Sequence, residues 1–406
     1  MVTGMQQFTD DFIREIPKTD LHVHLDGSLR LSTLISLAKD RHIELPSFTE
    51  EGLRELVFKA SYKNLEEYLA GFTWTGKVLQ DGEALEQTAR ELALDNFAEG
   101  VRYVEVRFAP QLHIHRNFPF EQVIAAVDQG LRRAKNEINA SLQETEPPFE
   151  YGIILCAMRF FNSQFSRYYR DFTAVHPYST PLEIIQMAGQ ELAKAAVKLQ
   201  AESGVQLVAF DLAGSEQGYP ASAHQEAYNY VTKNFMRKTV HAGEAYGPES
   251  IFQAITDLHA DRIGHGLHLF DADMIRSAPA QGKQKYVENL VNYIAENRIT
   301  VEVCLTSNVQ TAPHITGIRA HSFRNMLAKN LSVTLCTDNR LVSRTTICNE
   351  YRLALDNFAI SPGKLKDLVT YGFKRAFYYH SYTEKRKYVR KILDYYESLE
   401  KKHGIR

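Results

Sequence analysis

Cysteine is scarce in this 406-residue chain: Cys156, Cys304, Cys336 and Cys348 lie far apart and form no C-x-x-C pair. That excludes a disulfide framework as the source of stability and fits a reducing compartment. An excess of either charge is missing as well. Its 47 Lys and Arg residues face 49 Asp and Glu, a formal net charge of −2, so no basic surface for nucleic acid is expected. No run is apolar for long enough to span a bilayer, and the opening MVTGMQQFTDDFIREIPK carries charges where a secretory signal would have its apolar region. Gly/Ser-rich linkers, repeats and low-complexity stretches are lacking too. Residues 1–406 therefore read as one domain, with a cytoplasmic location and no membrane or nucleic-acid partner expected.

What the chain does have is a 44% hydrophobic content, enough for a substantial core. Short β-branched-rich runs recur along it: Leu21–Leu25, Val101–Ala109, Tyr151–Met158, Val205–Leu212, Thr239–Gly243, Arg262–Leu267, Thr300–Thr306 and Ser332–Thr337. They are almost continuously apolar, as strands buried on both faces should be. Between them lie stretches with apolar residues at three-to-four spacing, such as Ala84–Glu99 and Leu182–Glu202, which read as helices. Eight β-then-α units predict an α/β fold, a (β/α)8 TIM barrel, because an open sheet of that size would leave two edges to protect. Extra helices are expected after the first strand and over Glu350–Arg406 at the C-terminus, and an aromatic, polar insertion around Phe160–Thr180 either shapes the pocket mouth or simply packs. The basic stretch EKRKYVRK in the C-terminal helices reads as a solvated helix face.

The first run holds the motif TDLHVHLDG. Residues i and i+2 of a strand point the same way, so His22 and His24 present two imidazoles side by side, with Asp26 next on that face. Neutral imidazole is the commonest ligand of a catalytic metal, so the pair reads either as half of a metal site or, taken alone, as two satisfied polar side chains near a strand end. In a barrel the other half should come from the C-terminal ends of other strands. There the chain has His241 and Glu244 (HAGE), His265 (GHG) and Asp338 (TDN). Taken singly, His241 reads equally as a core histidine, Glu244 as a loop carboxylate and Asp338 as a helix N-cap. Together, three imidazoles (His22, His24, His241) and the Asp338 carboxylate suit Zn²⁺, one per chain, and leave room for a water made nucleophilic by the metal. Glu244 is placed as a proton shuttle and His265 as an orienting group. Such a set predicts metal-assisted hydrolysis without naming the bond.

The motifs TDLHVHLDGSL, YVEVRFAP, FDLAGSE, HAGE, RIGHG, EVCLTSN and TDN, between about Pro17 and Asn349, resemble those of the adenosine deaminase family of the amidohydrolase superfamily. The resemblance implies hydrolytic deamination of adenosine or 2′-deoxyadenosine to inosine or 2′-deoxyinosine with release of ammonia, a purine-salvage reaction. It implies that His22, His24, His241 and Asp338 hold zinc. It further implies that Glu244 protonates purine N1, that His265 orients the attacking hydroxide, and that Asp338 doubles as acceptor of its proton. On the substrate side it implies His24, Asp26 near the ribose hydroxyls, and Gly214, whose backbone N–H meets purine N3.

In one place the chain departs from the family: many members carry a second aspartate after the zinc-bound one, and here Asn339 stands there. An amide offers two N–H donors at every pH, so Asn339 is expected to contact purine N7 without needing a shifted pKa. Leu65, Tyr68, Leu69 and Phe72 fall at helical spacing, which fits either plain packing or a cover over the ribose. Rival readings are deamination of another 6-aminopurine, such as adenine or aminodeoxyfutalosine, and a catalytically silent nucleoside-binding protein.

Overall fold

The computed structural model describes residues 8–405 apart from Ala278 and Pro313; the ends of the terminal readings above, residues 1–7 and Arg406, lie outside them. Each apolar run forms a strand: β1 Lys18–His24, β2 Val101–Phe108, β3 Glu150–Met158, β4 Leu207–Ala213, β5 Arg237–Ala242, β6 Arg262–His265, β7 Thr300–Val303 and β8 Val333–Leu335. All neighbours pair in parallel, in chain order. The ends of the sheet meet just beyond β8. There Asp338 N–H donates to the His22 carbonyl and His24 N–H to the Asp338 carbonyl, both at 2.7 Å. Eight parallel strands, nearly closed on themselves and wrapped by helices, make the expected (β/α)8 barrel. The seam that closes it runs through three of the candidate site residues.

Every residue of β2 and β4 is buried, which accounts for their largely apolar runs. The barrel interior is nevertheless polar at chosen points, for Glu105, Arg107, Asp211, Thr239 and Glu302 are all fully buried. At the N-terminal end of the barrel, Arg262 pairs with Glu105 and Glu302 and lies 3.6 Å over the ring of Phe377. Tyr103 Oη donates to the Phe377 carbonyl at 2.8 Å. The C-terminal segment thus plugs the floor of the barrel.

Helix starts follow local chemistry. Asp81 caps Gly82–Ala98 through Ala84 N–H at 2.9 Å, and Thr180 with Glu183 forms a capping box for Pro181–Glu202, with proline at the first helical position. On the last helix, Tyr382–His403, Tyr388 and Ile392 face inward while Arg386, Lys387, Arg390 and Lys391 face solvent, so the basic stretch is a solvated face. Among the described residues no helix is long and apolar enough to cross a membrane.

Three expectations need correction. The seventh strand stops at Val303, and Leu305–Thr311 is a helix whose first turn is held by Glu350, which accepts from Thr306 N–H at 3.2 Å. Cys304 and Cys336 consequently sit just past strand ends instead of within strands; both are buried, and burial pushes their thiols well up, which keeps them inert. The Leu65–Phe72 stripe is two helices, Leu65–Leu69 and Phe72–Val78. At Ala70–Gly71 the hydrogen bonds tighten to i−3, from Gly71 to Tyr68 and from Thr73 to Ala70, at a glycine that favours the helix poorly. The insertion after β3 contains the helix Arg167–Ala174 and packs Phe161 and Tyr169 face to face at 3.8 Å in a small apolar cluster of its own.

Candidate active site

The strand ends bring His22 and His24 of β1, His241 of β5 and Asp338 beyond β8 together, with one ligand atom from each lying within 4.8 Å of all the others. Between particular atoms the spacing is tighter: His24 Nε2 to His241 Nε2 is 3.1 Å, His22 Nε2 to Asp338 Oδ1 is 3.5 Å, and His24 Nε2 to Asp338 Oδ1 is 3.6 Å. A tetrahedral ion with bonds of about 2.0–2.1 Å separates its ligands by about 3.3 Å, so the cluster has the right dimensions for one. Backbone strain marks the same place. Asp338 and His265 have φ of 60° and 66°, a left-handed conformation that non-glycine residues seldom hold without purpose.

Protonation decides whether these nitrogens can be ligands. His22 Nδ1 lies 2.8 Å from Glu302 Oε2 and His241 Nδ1 lies 3.1 Å from Asp211 Oδ2. Each carboxylate takes the Nδ1 hydrogen, which leaves the Nε2 lone pair facing the cluster. His22 Nε2 is buried without a hydrogen-bond partner, an orphan that a cation would satisfy. Burial pulls His24 and His241 below the usual imidazole range, as neutral ligands require. At His22 burial and Arg107 pull the same way, but the carboxylates of Asp338 and Glu302 outweigh them and raise it; a metal bound there displaces that proton. The donor set fits a divalent ion rich in nitrogen ligands. Gly264 makes room for it, because a Cβ there would stand 3.0 Å from His22 Cε1 and 3.3 Å from His241 Cα.

Behind the candidate ligands, Arg107 joins both supports. It donates through Nη1 to Asp211 at 2.9 Å and through Nη2 to Glu302 at 2.8 Å. Burial alone would raise these carboxyls, yet His241 and Arg107 hold Asp211, and Arg107 and Arg262 hold Glu302, well below the usual carboxylate range. One substitution tests the tautomer argument. In Asp211→Asn an amide must face both the Arg107 and the His241 donors. If its NH2 meets His241, the imidazole carries its hydrogen on Nε2 and stops being a ligand. The expected result, read by chelator competition, is a loss of metal affinity of about 10- to 100-fold; unchanged affinity would contradict this role for Asp211.

Glu244 follows β5 on a loop built around another carboxylate. Glu216 accepts from the backbone N–H groups of Gly243, Glu244, Ala245 and Tyr246 at 2.7–3.0 Å, and also from the Ser250 hydroxyl. The Glu244 side chain is 10% exposed, and its Oε2 is 4.0 Å from His265 Nε2. Burial, aided by the negative charges of Asp338 and Glu216, pushes its carboxyl up to about 8. In the metal-free chain that shift favours the protonated form at neutral pH, where an ordinary glutamate is ionised. His265 is buried, and burial together with His22 holds it well below the usual range.

The remaining candidates line the rim. Asp26 is buried, with one carboxylate oxygen lacking a partner, and burial pushes it up to about 7. Gly214, at φ +96° in the turn after β4, is only partly covered, so its backbone remains approachable. Asn339 is packed so closely on Gly27 that a Cβ at residue 27 would fall 1.9 Å from its Oδ1, and its Nδ2 donates to Tyr68 Oη at 2.8 Å. Tyr68 is the residue that links the stripe after β1 to the site: its hydroxyl is also 2.7 Å from Ser343 Oγ and 3.4 Å from Asp338 Oδ2. Helical spacing alone marked Tyr68 as one of four apolar positions. The supports Arg107, Asp211, Glu216 and Glu302 were not singled out either, although a charge inside an apolar strand run was a usable signal for three of them.

Comparison with known proteins agrees with this arrangement. The family model for adenosine deaminase matches residues 17–177 and 180–395. The adenosine deaminase of Vibrio atlanticus is 32% identical over 90% of this chain and 95% of its own length. A relative from Dictyostelium discoideum is 30% identical over 93% of this chain, which spans 42% of that longer protein. Among solved structures, the N6-mAMP deaminase of Arabidopsis superposes with a TM-score of 0.72 at 25% identity, covering 95% of this chain and 99% of the other.

Proposed function

Because the chain belongs to the adenosine deaminase family, we propose that its barrel mouth hydrolyses the 6-amino group of adenosine and 2′-deoxyadenosine. The products are inosine or 2′-deoxyinosine and ammonia. The observation that carries this reading is the convergence of His22, His24, His241 and Asp338 at the strand ends, with the buried Glu244 carboxyl 4.0 Å from His265 beside them.

These four residues would hold the metal, and their nitrogen-rich chemistry favours Zn²⁺. When bound, the ion supplies the Lewis acidity that makes a water nucleophilic near neutral pH. The chain's own groups do the rest. Glu244 gives its proton to purine N1, which draws electrons from C6 and opens that carbon to attack. His265 aligns the attacking oxygen, and Asp338 accepts the proton it sheds. That proton passes to the amino group; the C6–N6 bond breaks and ammonia leaves as the C6 hydroxyl becomes a carbonyl, its proton returning to Glu244. Gly214 N–H meets purine N3, Asp26 faces the ribose, and the Asn339 N–H not used on Tyr68 is free for purine N7.

The test is ammonia release from adenosine, 2′-deoxyadenosine, adenine and adenosine 5′-monophosphate, with metal measured on the same sample. The expected outcome is the highest kcat/KM on the two nucleosides, with about one zinc per chain. A higher value on adenine or on the nucleotide would replace the substrate assignment. No release from any of the four by fully metallated protein would refute the enzyme reading.

A further inference from the structure

His265 is held from behind by two side chains that the reaction scheme above does not use. Asn308, fully buried on the helix Leu305–Thr311, places Nδ2 2.9 Å from His265 Nδ1. Its other end, Oδ1, lies 3.1 Å from His321 Nε2. His321 is itself buried, and its Nδ1 lies 2.9 Å from the backbone N of Phe323.

The last of these contacts has only one possible polarity. A backbone N–H can only donate, so His321 Nδ1 must accept. Burial, with the charge of nearby His268, drags His321 down to about 3, so the ring is neutral and its one hydrogen sits on Nε2. That hydrogen goes to Asn308 Oδ1. The amide is thereby oriented, and its NH2 faces His265. His265 Nδ1 must then accept, which leaves the hydrogen of a neutral imidazole on Nε2, the nitrogen nearest Glu244.

We propose that His321 and Asn308 are positioning residues that fix His265 in the tautomer with its hydrogen on Nε2, facing the reacting groups. His265 then enters the site as a hydrogen-bond donor and is not free to take a proton, so the proton of the attacking water falls to Asp338. The catalytic consequence rests on the deaminase reading, whereas the tautomer does not. The sense of the relay is set by a main-chain hydrogen bond more than 50 residues along the chain from the imidazole it controls, so it holds whatever purine is bound.

Two measurements test it on the full-length, metal-loaded protein. With ¹⁵N-histidine labelling and long-range proton–nitrogen correlation, His265, assigned by its loss in a His265→Gln spectrum, should show a protonated Nε2 and an accepting Nδ1. In Asn308→Asp the side chain can only accept, so the pattern should reverse. The same variant should lose at least about 100-fold in kcat with KM within about threefold and metal content unchanged. His321→Gln, whose amide keeps a donor towards Asn308, should stay within about tenfold of the wild type. A hydrogen on His265 Nδ1 in the wild type, or wild-type kcat in Asn308→Asp, would overturn the proposal. Should Asn308→Asp not fold, the wild-type spectrum alone decides. If the wild type turns over no purine, the deaminase reading fails while the spectrum still decides the relay.

Discussion

Glu244→Gln is expected to lower kcat/KM on adenosine by about 10³-fold while metal content and fold stay as in the wild type. Glutamine keeps the size of the side chain and its hydrogen-bonding capacity, but it cannot surrender a proton to purine N1. The loop need not move, because Glu216 holds it through backbone N–H groups that the substitution leaves alone. The pH profile gives a second reading. The active form of Glu244 is protonated, so kcat/KM falls as pH rises through its pKa, which is about 8 in the metal-free chain. A bound cation favours the carboxylate and moves this descending limb to lower pH without changing its sign. In Glu244→Gln the limb attributable to this group disappears along with the activity. A variant within tenfold of the wild type would remove Glu244 from the mechanism.

The barrel was legible in the sequence because strands buried on both faces leave a simple trace, and all eight runs form strands. The cluster His22, His24, His241 and Asp338 was legible for a related reason. Chemistry-bearing residues sat at the ends of those runs, and a parallel barrel gathers such ends on one face. What lay out of reach depends on closure. Arg107 and Glu302 are separated by 195 residues and meet only across the barrel interior, so neither could be assigned a partner from local pattern. Tyr68 looked like one member of an amphipathic stripe, and only the docking of its helix on the segment after β8 turns its hydroxyl towards Asp338. Asn308 was hidden by a strand reading carried too far: once Glu350 starts a helix at Leu305, residue 308 swings behind His265.

Arg107→Met should destabilise the metal-free protein by about 3–5 kcal/mol and weaken metal binding in the same variant. Methionine fills much of the space but leaves Asp211 and Glu302, both fully buried, without the guanidinium that bridges them. Glu302 retains Arg262 and Thr239, whereas Asp211 keeps only neutral donors, His241 Nδ1, the Leu212 N–H and the Cys156 thiol. Protonating Asp211 is then the cheapest response, and a carboxylic acid that donates to His241 Nδ1 moves the imidazole hydrogen to Nε2, away from a ligand's role. Stability and metal affinity should therefore fall together. The pH dependence has a definite sign. Carboxyls with depressed folded pKa values stabilise the fold above their unfolded values, near 4, and lose that contribution as pH falls towards the folded ones. Removing Arg107 raises the folded values of both groups, so acid unfolding should begin at higher pH in the variant. Arg107→Lys restores a charge but no fork that can reach two carboxylates at once, and should recover only part of the loss. Urea unfolding of the metal-free proteins and chelator competition measure the two effects. Unfolding free energies within about 1 kcal/mol of each other, or affinity retained despite lost stability, would mean that Arg107 does not couple the barrel core to the ligands.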